Sequence, residues 1–183
     1  TCFFDSIACA FMALEHDQVK KFIDIEYIKN SQGSVRVVGT DLKTNVLDAT
    51  FLNGALIRWL DFNDTWLAKE WGHPSDNLAI ILALVDYLKS HRNTSLNFKE
   101  VLNCMVMAHE IQGALAIENS LNKEGLDHVA LVKIASASVG AKMLGHNHHQ
   151  IQAVISNAFI DGQSLRTYRH FPNTGARKSW AAG

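Results

Sequence analysis

Proline is nearly absent from this sequence, with Pro74 and Pro172 the only two in 183 residues. Strand-like alternation is scarce as well, so the chain reads as mostly α. Cysteine is also rare. Cys2, Cys9 and Cys104 form neither a CxxC pair nor a disulfide framework, which suits a reducing compartment. Each is expected to be a small buried apolar residue, and the three cannot supply an iron–sulfur cubane. Neither sign of charge dominates: 17 basic and 18 acidic residues leave a formal charge of -1. No global field therefore recruits nucleic acid or an anionic membrane, and any anion must be held locally. No apolar run of about 18 residues is free of charge, so nothing reads as a membrane span, and no signal peptide is visible.

What is present is an apolar content of 48%, enough for one sizeable core. Thr1 falls inside a helical pattern and Gly183 follows a basic, aromatic segment. Both ends are expected to be internal cuts, with any targeting sequence upstream. Over residues 2–15, Phe3, Phe4, Ile7, Ala8, Phe11 and Leu14 recur at helical spacing and predict a buried helix. Residues 16–46 are polar and irregular; the run Val35, Arg36, Val37, Val38 suggests a surface excursion or a small extended segment. Helical spacing returns from Leu47 to Phe62, placing Asp61 at a helix C-terminus. Ser75 is the expected N-cap of a helix over 76–91, and Asn97 with Glu100 resembles a capping box for a helix over about 98–118. An apolar helix over Val129–Leu144 should close at Gly145, with a last one over His148–Ser164. No internal repeat or linker interrupts this, so one helical domain is predicted.

Four places carry residues suited to chemistry. On a helical reading Asp61 and Thr65 share a face, beside an aromatic wall of Trp59, Phe62, Trp66 and Trp71. A carboxylate there must be paired, capping or working. His73 lies in the turn Trp71, Gly72, His73, Pro74, Ser75, where Gly permits unusual backbone and Pro fixes the turn. A helix N-terminus attracts anions and keeps an imidazole neutral, although a loop histidine that merely bonds backbone fits equally. Asp127 or His128 either starts the following helix or supplies a second acid–base imidazole. After Asp161 no acidic residue occurs, while Arg166, Arg169, His170, Arg177 and Lys178 are interleaved with Tyr168, Phe171 and Trp180. Such a segment can clamp a polycarboxylate, or be a solvated basic tail. His146, His148 and His149 have no carboxylate beside them and read as polar surface rather than a metal site.

The runs IRWLDFNDTWLAKEWGHPSDN (57–77), AHEIQGALAIENSLNKEGLDHVALVKIAS (108–136) and DGQSLRTYRHFPNTGARKSWAAG (161–183) resemble the MmgE/PrpD family. The likeness extends over nearly the whole chain from about Asp5 and is weakest in residues 16–46. It implies an all-α fold, with residues 1–183 part of the N-terminal helical domain and a smaller C-terminal α+β domain missing. It also implies site residues: catalytic His73, His128, Asp61 and Lys178, with Thr65 binding substrate, and the basic segment offers Arg166, Arg169 and Arg177 as further substrate-binding groups. The stretch Lys178, Ser179, Trp180, Ala181, Ala182, Gly183 differs from the histidine-containing version in the family's decarboxylases and points to its dehydratase branch.

The activity so implied is a hydro-lyase step, dehydration of 2-methylcitrate to 2-methyl-cis-aconitate in propionate breakdown through the methylcitrate cycle. A histidine with a pKa of about 6.5 suits proton removal beside a carboxylate. No metal or organic cofactor is expected, nor nucleic-acid or membrane partners. A tricarboxylate substrate, a homodimer in the full-length parent and a location in cytoplasm or mitochondrial matrix are. The chain by itself is expected to be inactive. Rival readings are a related decarboxylase or isomerase, or a non-catalytic helical interaction module. Convergence of Asp61, Thr65, His73, His128 and Lys178 favours a site; scatter favours a module.

Overall fold

The computed structural model describes residues 1–169 and 177–183, the side chains of Arg169 and Arg177 excepted. Among these, nine α-helices dominate: α1 (Cys2–Ala13), α2 (Asp17–Ile23), α3 (Glu26–Asn30), α4 (Val46–Arg58), α5 (Leu78–Arg92), α6 (Phe98–Glu118), α7 (Val129–Met143), α8 (His148–Ile160) and α9 (Arg177–Ala182). Strands β1 (Val35–Arg36) and β2 (Lys43–Thr44) form an antiparallel pair, with Val35 opposite Thr44. The fold is thus mostly helical, with one small hairpin in the stretch that reads as irregular.

The caps are where local sequence speaks most directly. Asn97 accepts from the Glu100 N–H while Glu100 reaches back to the Asn97 N–H, the expected capping box of α6. Asn147 and Gln150 repeat it at α8, and the Asn45 side chain accepts from Leu47 and Asp48 at the start of α4. At the end of α7 the chain turns at Gly145, φ +81°. Helix α8 stops at Ile160 instead of running to Ser164.

Helix α4 is the centre of the core. Leu52, Leu56 and Ile57 are fully buried there, and α4 packs on α1, α5 and α9. The main core joins them to Ala10, Ala13, Leu78, Ile81, Met105, Ala108 and Val139; a smaller cluster of Ala116, Leu131 and Ile134 lies under α8. Helix α1 buries only part of its expected apolar face, with Phe3, Ile7 and Leu14 packed against the core. Ser6, Cys9, Ala10 and Ala13 face inward, while Phe4 is 69% and Phe11 52% exposed. Small side chains let α1 approach α4 closely, and in a helix apolar nearly all round that close approach decides which face is buried. Residues 16–46 are also less superficial than their polarity suggests, because Val19, Ile28, Val35 and Val37 join the core.

Helix α9 lies tightly on α4. A Cβ at Gly54 would sit 2.8 Å from Gly183 Cα, so the absence of a side chain there permits the contact. Trp180 stacks against Phe51 and Phe22, with ring centroids 5.0 and 5.4 Å away. This docking brings Lys178 to the C-terminal end of α4.

Candidate active site

Helix α4 ends on Arg58, whose side chain has no solvent exposure. A buried guanidinium needs anionic partners. Arg58 donates from Nη1 to Asp76 Oδ2 at 3.2 Å and lies 2.9 Å from Asp61 Oδ1 through Nη2, an ion pair rather than an aligned hydrogen bond. Asp76 is buried too and accepts from Asn63 Nδ2 at 2.9 Å. Asp61 adopts φ +60°, a left-handed conformation that aspartate tolerates better than most side chains, and there the chain leaves the helical path.

From Asp61 to His73 the backbone is a loop, pinched where Trp66 N–H donates to the Gly72 carbonyl at 2.8 Å and Gly72 N–H returns the bond at 3.0 Å. A Cβ at Gly72 would lie 2.9 Å from Gln112 Nε2 and 3.5 Å from His128 Cδ2, so a bare backbone lets both approach. Pro74–Asn77 then form a 3-10 turn that runs into α5. Ser75 is not its N-cap: His73 holds that position, with Pro74 at N1, and Asp64 Oδ1 accepts the Ser75 N–H at 2.9 Å from across the loop.

This geometry fixes His73. Nδ1 lies 2.7 Å from the Asp64 backbone oxygen, and a carbonyl only accepts, so the proton sits on Nδ1 and Nε2 keeps its lone pair. Nε2 points toward Asp61 Oδ1, 3.7 Å away. Burial, then the nearby Arg58 charge, lowers the His73 pKa; the Asp64 carbonyl and Asp61 oppose this only in part. For Asp61, partial burial pushes upward, but the Lys178 hydrogen bond and the Arg58 charge outweigh it and the carboxyl stays below its ordinary range. Lys178 Nζ donates to Asp61 Oδ2 at 2.6 Å.

His128 opens α7 with its ring 1% exposed, centred 5.9 Å from the His73 ring and 4.4 Å from that of Trp71. Asp127 is the start signal, accepting the Val129 N–H at 3.1 Å, and its carboxylate also faces His128 Nδ1 at 3.3 Å. Capping and imidazole orientation thus coexist. The Arg166 guanidinium stands over the Trp71 ring, 5.5 Å from its centroid.

Asp61, His73, His128 and Lys178 therefore converge, with Arg166 reached through Trp71. Thr65 does not join Asp61 on a common face. It is exposed on non-helical backbone, because the helix has ended at Arg58. The aromatic wall is likewise only partial, Phe62 being 72% exposed. The side chains of Arg169 and Arg177, and all of His170, lie outside the described residues.

A scan against protein families matches residues 1–183 to the MmgE/PrpD N-terminal domain. The chain belongs to the MmgE/PrpD family. Among its MmgE/PrpD relatives, 2-methylcitrate dehydratase of Escherichia coli (strain K12) is 54% identical over 187 residues, covering 100% of this chain and 39% of the relative. A probable 2-methylcitrate dehydratase of Saccharomyces cerevisiae is 50% identical over 190 residues, covering 100% and 37%. The protein named 2-methylcitrate dehydratase, mitochondrial, of Yarrowia lipolytica is 50% identical over 191 residues, covering 100% and 36%. The chain thus spans well under half the length of these relatives.

Several residues of this MmgE/PrpD site escaped sequence reasoning. Arg58 carried a usable signal, since it interrupts an otherwise apolar run and so implies a buried partner, whereas Asp76 lies in a polar turn and carried none. His109 carried none; only the fold brings its Nε2 within 2.9 Å of Asp64 Oδ2. Cys2, unlike Cys9 and Cys104, is exposed. Together with Asp64 and His109 it places three donor atoms within 4.8 Å of one another, the one such group among the described residues, although Asp64 and His109 already engage each other. His146, His148 and His149 are exposed. A cavity of about 560 Å³ between α2, α4 and α9 reaches the constellation through Lys178, whereas one of about 390 Å³ is lined by Val129, Lys133, Ser136 and Gly183. No described helix is long and apolar enough to cross a membrane.

Proposed function

We propose that the chain supplies the helical half of a hydro-lyase site that dehydrates 2-methylcitrate to 2-methyl-cis-aconitate. The observation that carries this is the setting of His73: a buried imidazole whose Nδ1 lies 2.7 Å from the Asp64 carbonyl and whose Nε2 faces the Asp61 and Lys178 pair. The relatives at 50–54% identity that bear the dehydratase name support the substrate class.

Dehydration removes a proton from a carbon next to a carboxylate and a hydroxyl from the neighbouring carbon. His73 Nε2 takes the proton, and the imidazolium that forms is stabilised by Asp61 at 3.7 Å. His128, with Asp127 beside its Nδ1, gives a proton to the departing hydroxyl, which leaves as water. Charge growing on the substrate carboxylate needs a fixed cation. Lys178 stands next to the base, and Arg166 beside Trp71 is placed to bind a second carboxylate, with Arg169, Arg177 and Thr65 as further binding groups. A second, α+β domain completes the site in the full-length protein, a homodimer of the cytoplasm or mitochondrial matrix.

His73→Ala in the full-length protein is expected to lower the dehydration rate by at least about two orders of magnitude. Near-normal turnover would remove His73 from the proton transfer. Product analysis with 2-methylcitrate and cis-aconitate separates loss of water from loss of carbon dioxide, and release of carbon dioxide would favour the decarboxylase reading.

A further inference from the structure

We infer that His109 is a positioning residue for His73, acting through Asp64. Asp64 meets three groups at once. Its backbone oxygen accepts the His73 Nδ1 proton at 2.7 Å, its Oδ1 accepts the Ser75 N–H at 2.9 Å, and its Oδ2 faces His109 Nε2 at 2.9 Å. The first bond selects the tautomer that leaves Nε2 free for chemistry. The second ties the loop to the turn on which His73 itself sits. The third adds a charged tie between this loop and α6, whose Gln112 also lies against Gly72 and accepts from Asn77 Nδ2 at 2.8 Å.

His109 is held for this task. Its Nδ1 lies 2.9 Å from the Met105 carbonyl one helical turn back, which sets the plane of the ring. A carbonyl on one side and a carboxylate on the other both accept, so both ring nitrogens carry protons and the contact is an ion pair. His109 is partly buried, at 26% side-chain exposure against 17% for Asp64, so water competes only weakly. Removing the cation leaves a half-buried carboxylate with one partner fewer, and the loop then relaxes toward solvent. The Asp64 carbonyl moves with it, and the bond that selects the His73 tautomer lengthens. An outer partner of this kind orients a working histidine without touching substrate, as the groups behind metal-bound histidines do.

The test uses the full-length protein with His109→Leu, which cannot donate, and His109→Gln, whose amide can. Two readouts are needed: the imidazole nitrogen resonances of His73, which distinguish the Nδ1–H tautomer from the Nε2–H one, and kcat and KM for dehydration. His109→Leu is expected to give a tautomer mixture and to lower kcat by about tenfold or more, the usual size for an outer-partner loss, with KM little changed. His109→Gln is expected to restore both. Should His109→Leu fail to fold, Asp64→Asn keeps an acceptor for Ser75, removes the ion pair, and is expected to produce the same mixture. A single Nδ1–H signal with wild-type kcat in His109→Leu or in Asp64→Asn would overturn the inference. The kcat readout rests on the dehydratase reading and the resonances do not. A wild-type protein that does not dehydrate 2-methylcitrate would therefore sink that reading while the His73 tautomer still decides the role of His109.

Discussion

His73 and His109 lie on either side of Asp64 and are perturbed in opposite directions. Burial, then Arg58, lowers the first; the Asp64 hydrogen bond raises the second, against burial. The consequences for stability differ in sign. An unfolded histidine titrates near pH 6.5. For His73 the unfolded chain binds its proton more readily, so stability falls as pH drops from about 6.5 through the lowered folded value. For His109 the folded state holds the proton more tightly, so its contribution is complete below about pH 6.5 and is lost as pH rises through the raised folded value. Urea unfolding midpoints across this range should therefore separate the two. His73→Gln should flatten the acid side of the profile and His109→Leu the alkaline side. Parallel profiles for wild type and both variants would contradict the assignment. The downward direction at His73 agrees with the neutral imidazole expected at a helix N-terminus, although burial and Arg58 produce it, whereas the upward direction at His109 was not legible, because Asp64 acts through space.

At the scale of elements, the two capping boxes are chemically alike and differ in what their helices bury. Helix α6 places Val101, Cys104, Met105 and Ala108 in or against the core, whereas α8 has no fully buried residue. Losing an Asn cap costs about 1 kcal/mol. In Asn97→Ala that loss should appear in global unfolding, since α6 cannot fray without uncovering the core. In Asn147→Ala the same loss should appear as faster amide exchange at the start of α8, with the global midpoint nearly unchanged. Equal global shifts in the two variants would show α8 to be part of the cooperative unit. Both boxes are decided within four residues, which is why the one at Asn97 was readable in advance. The α4 to α5 connection was not, since it is closed by the Trp66 to Gly72 pairing and by the Asp64 carboxylate reaching Ser75. Helical spacing therefore carried the expected helix past its true end at Arg58 to Phe62, and gave Asp61 and Thr65 a common helical face that does not form.

Over the whole molecule, the exposed side of α1 leaves apolar surface in solvent. Phe4 is 69% exposed, Phe98 on α6 is 49% exposed with its ring centroid 6.3 Å from that of Phe4, and Val106 further along α6 is 59% exposed. Exposed apolar surface of this sort promotes association. Replacing Phe4 and Val106 with Gln should reduce light scattering by the 183-residue chain at high concentration while leaving its melting temperature nearly unchanged. A melting temperature lowered by several degrees would show instead that these side chains already do core duty.

The sequence by itself determined the helical class, the Asn97 capping box, the turn at Gly145 and the family, because these depend on periodicity, caps and motifs confined to neighbouring residues. Only the tertiary structure decided which face of α1 is buried, that Arg58 bridges Asp61 and Asp76, and that Lys178 meets Asp61 across 117 positions of chain. The physical reason is the docking of α9 on α4. A contact made through Gly54 and Gly183, two residues without side chains, leaves no periodic trace, yet it places Lys178 beside Asp61.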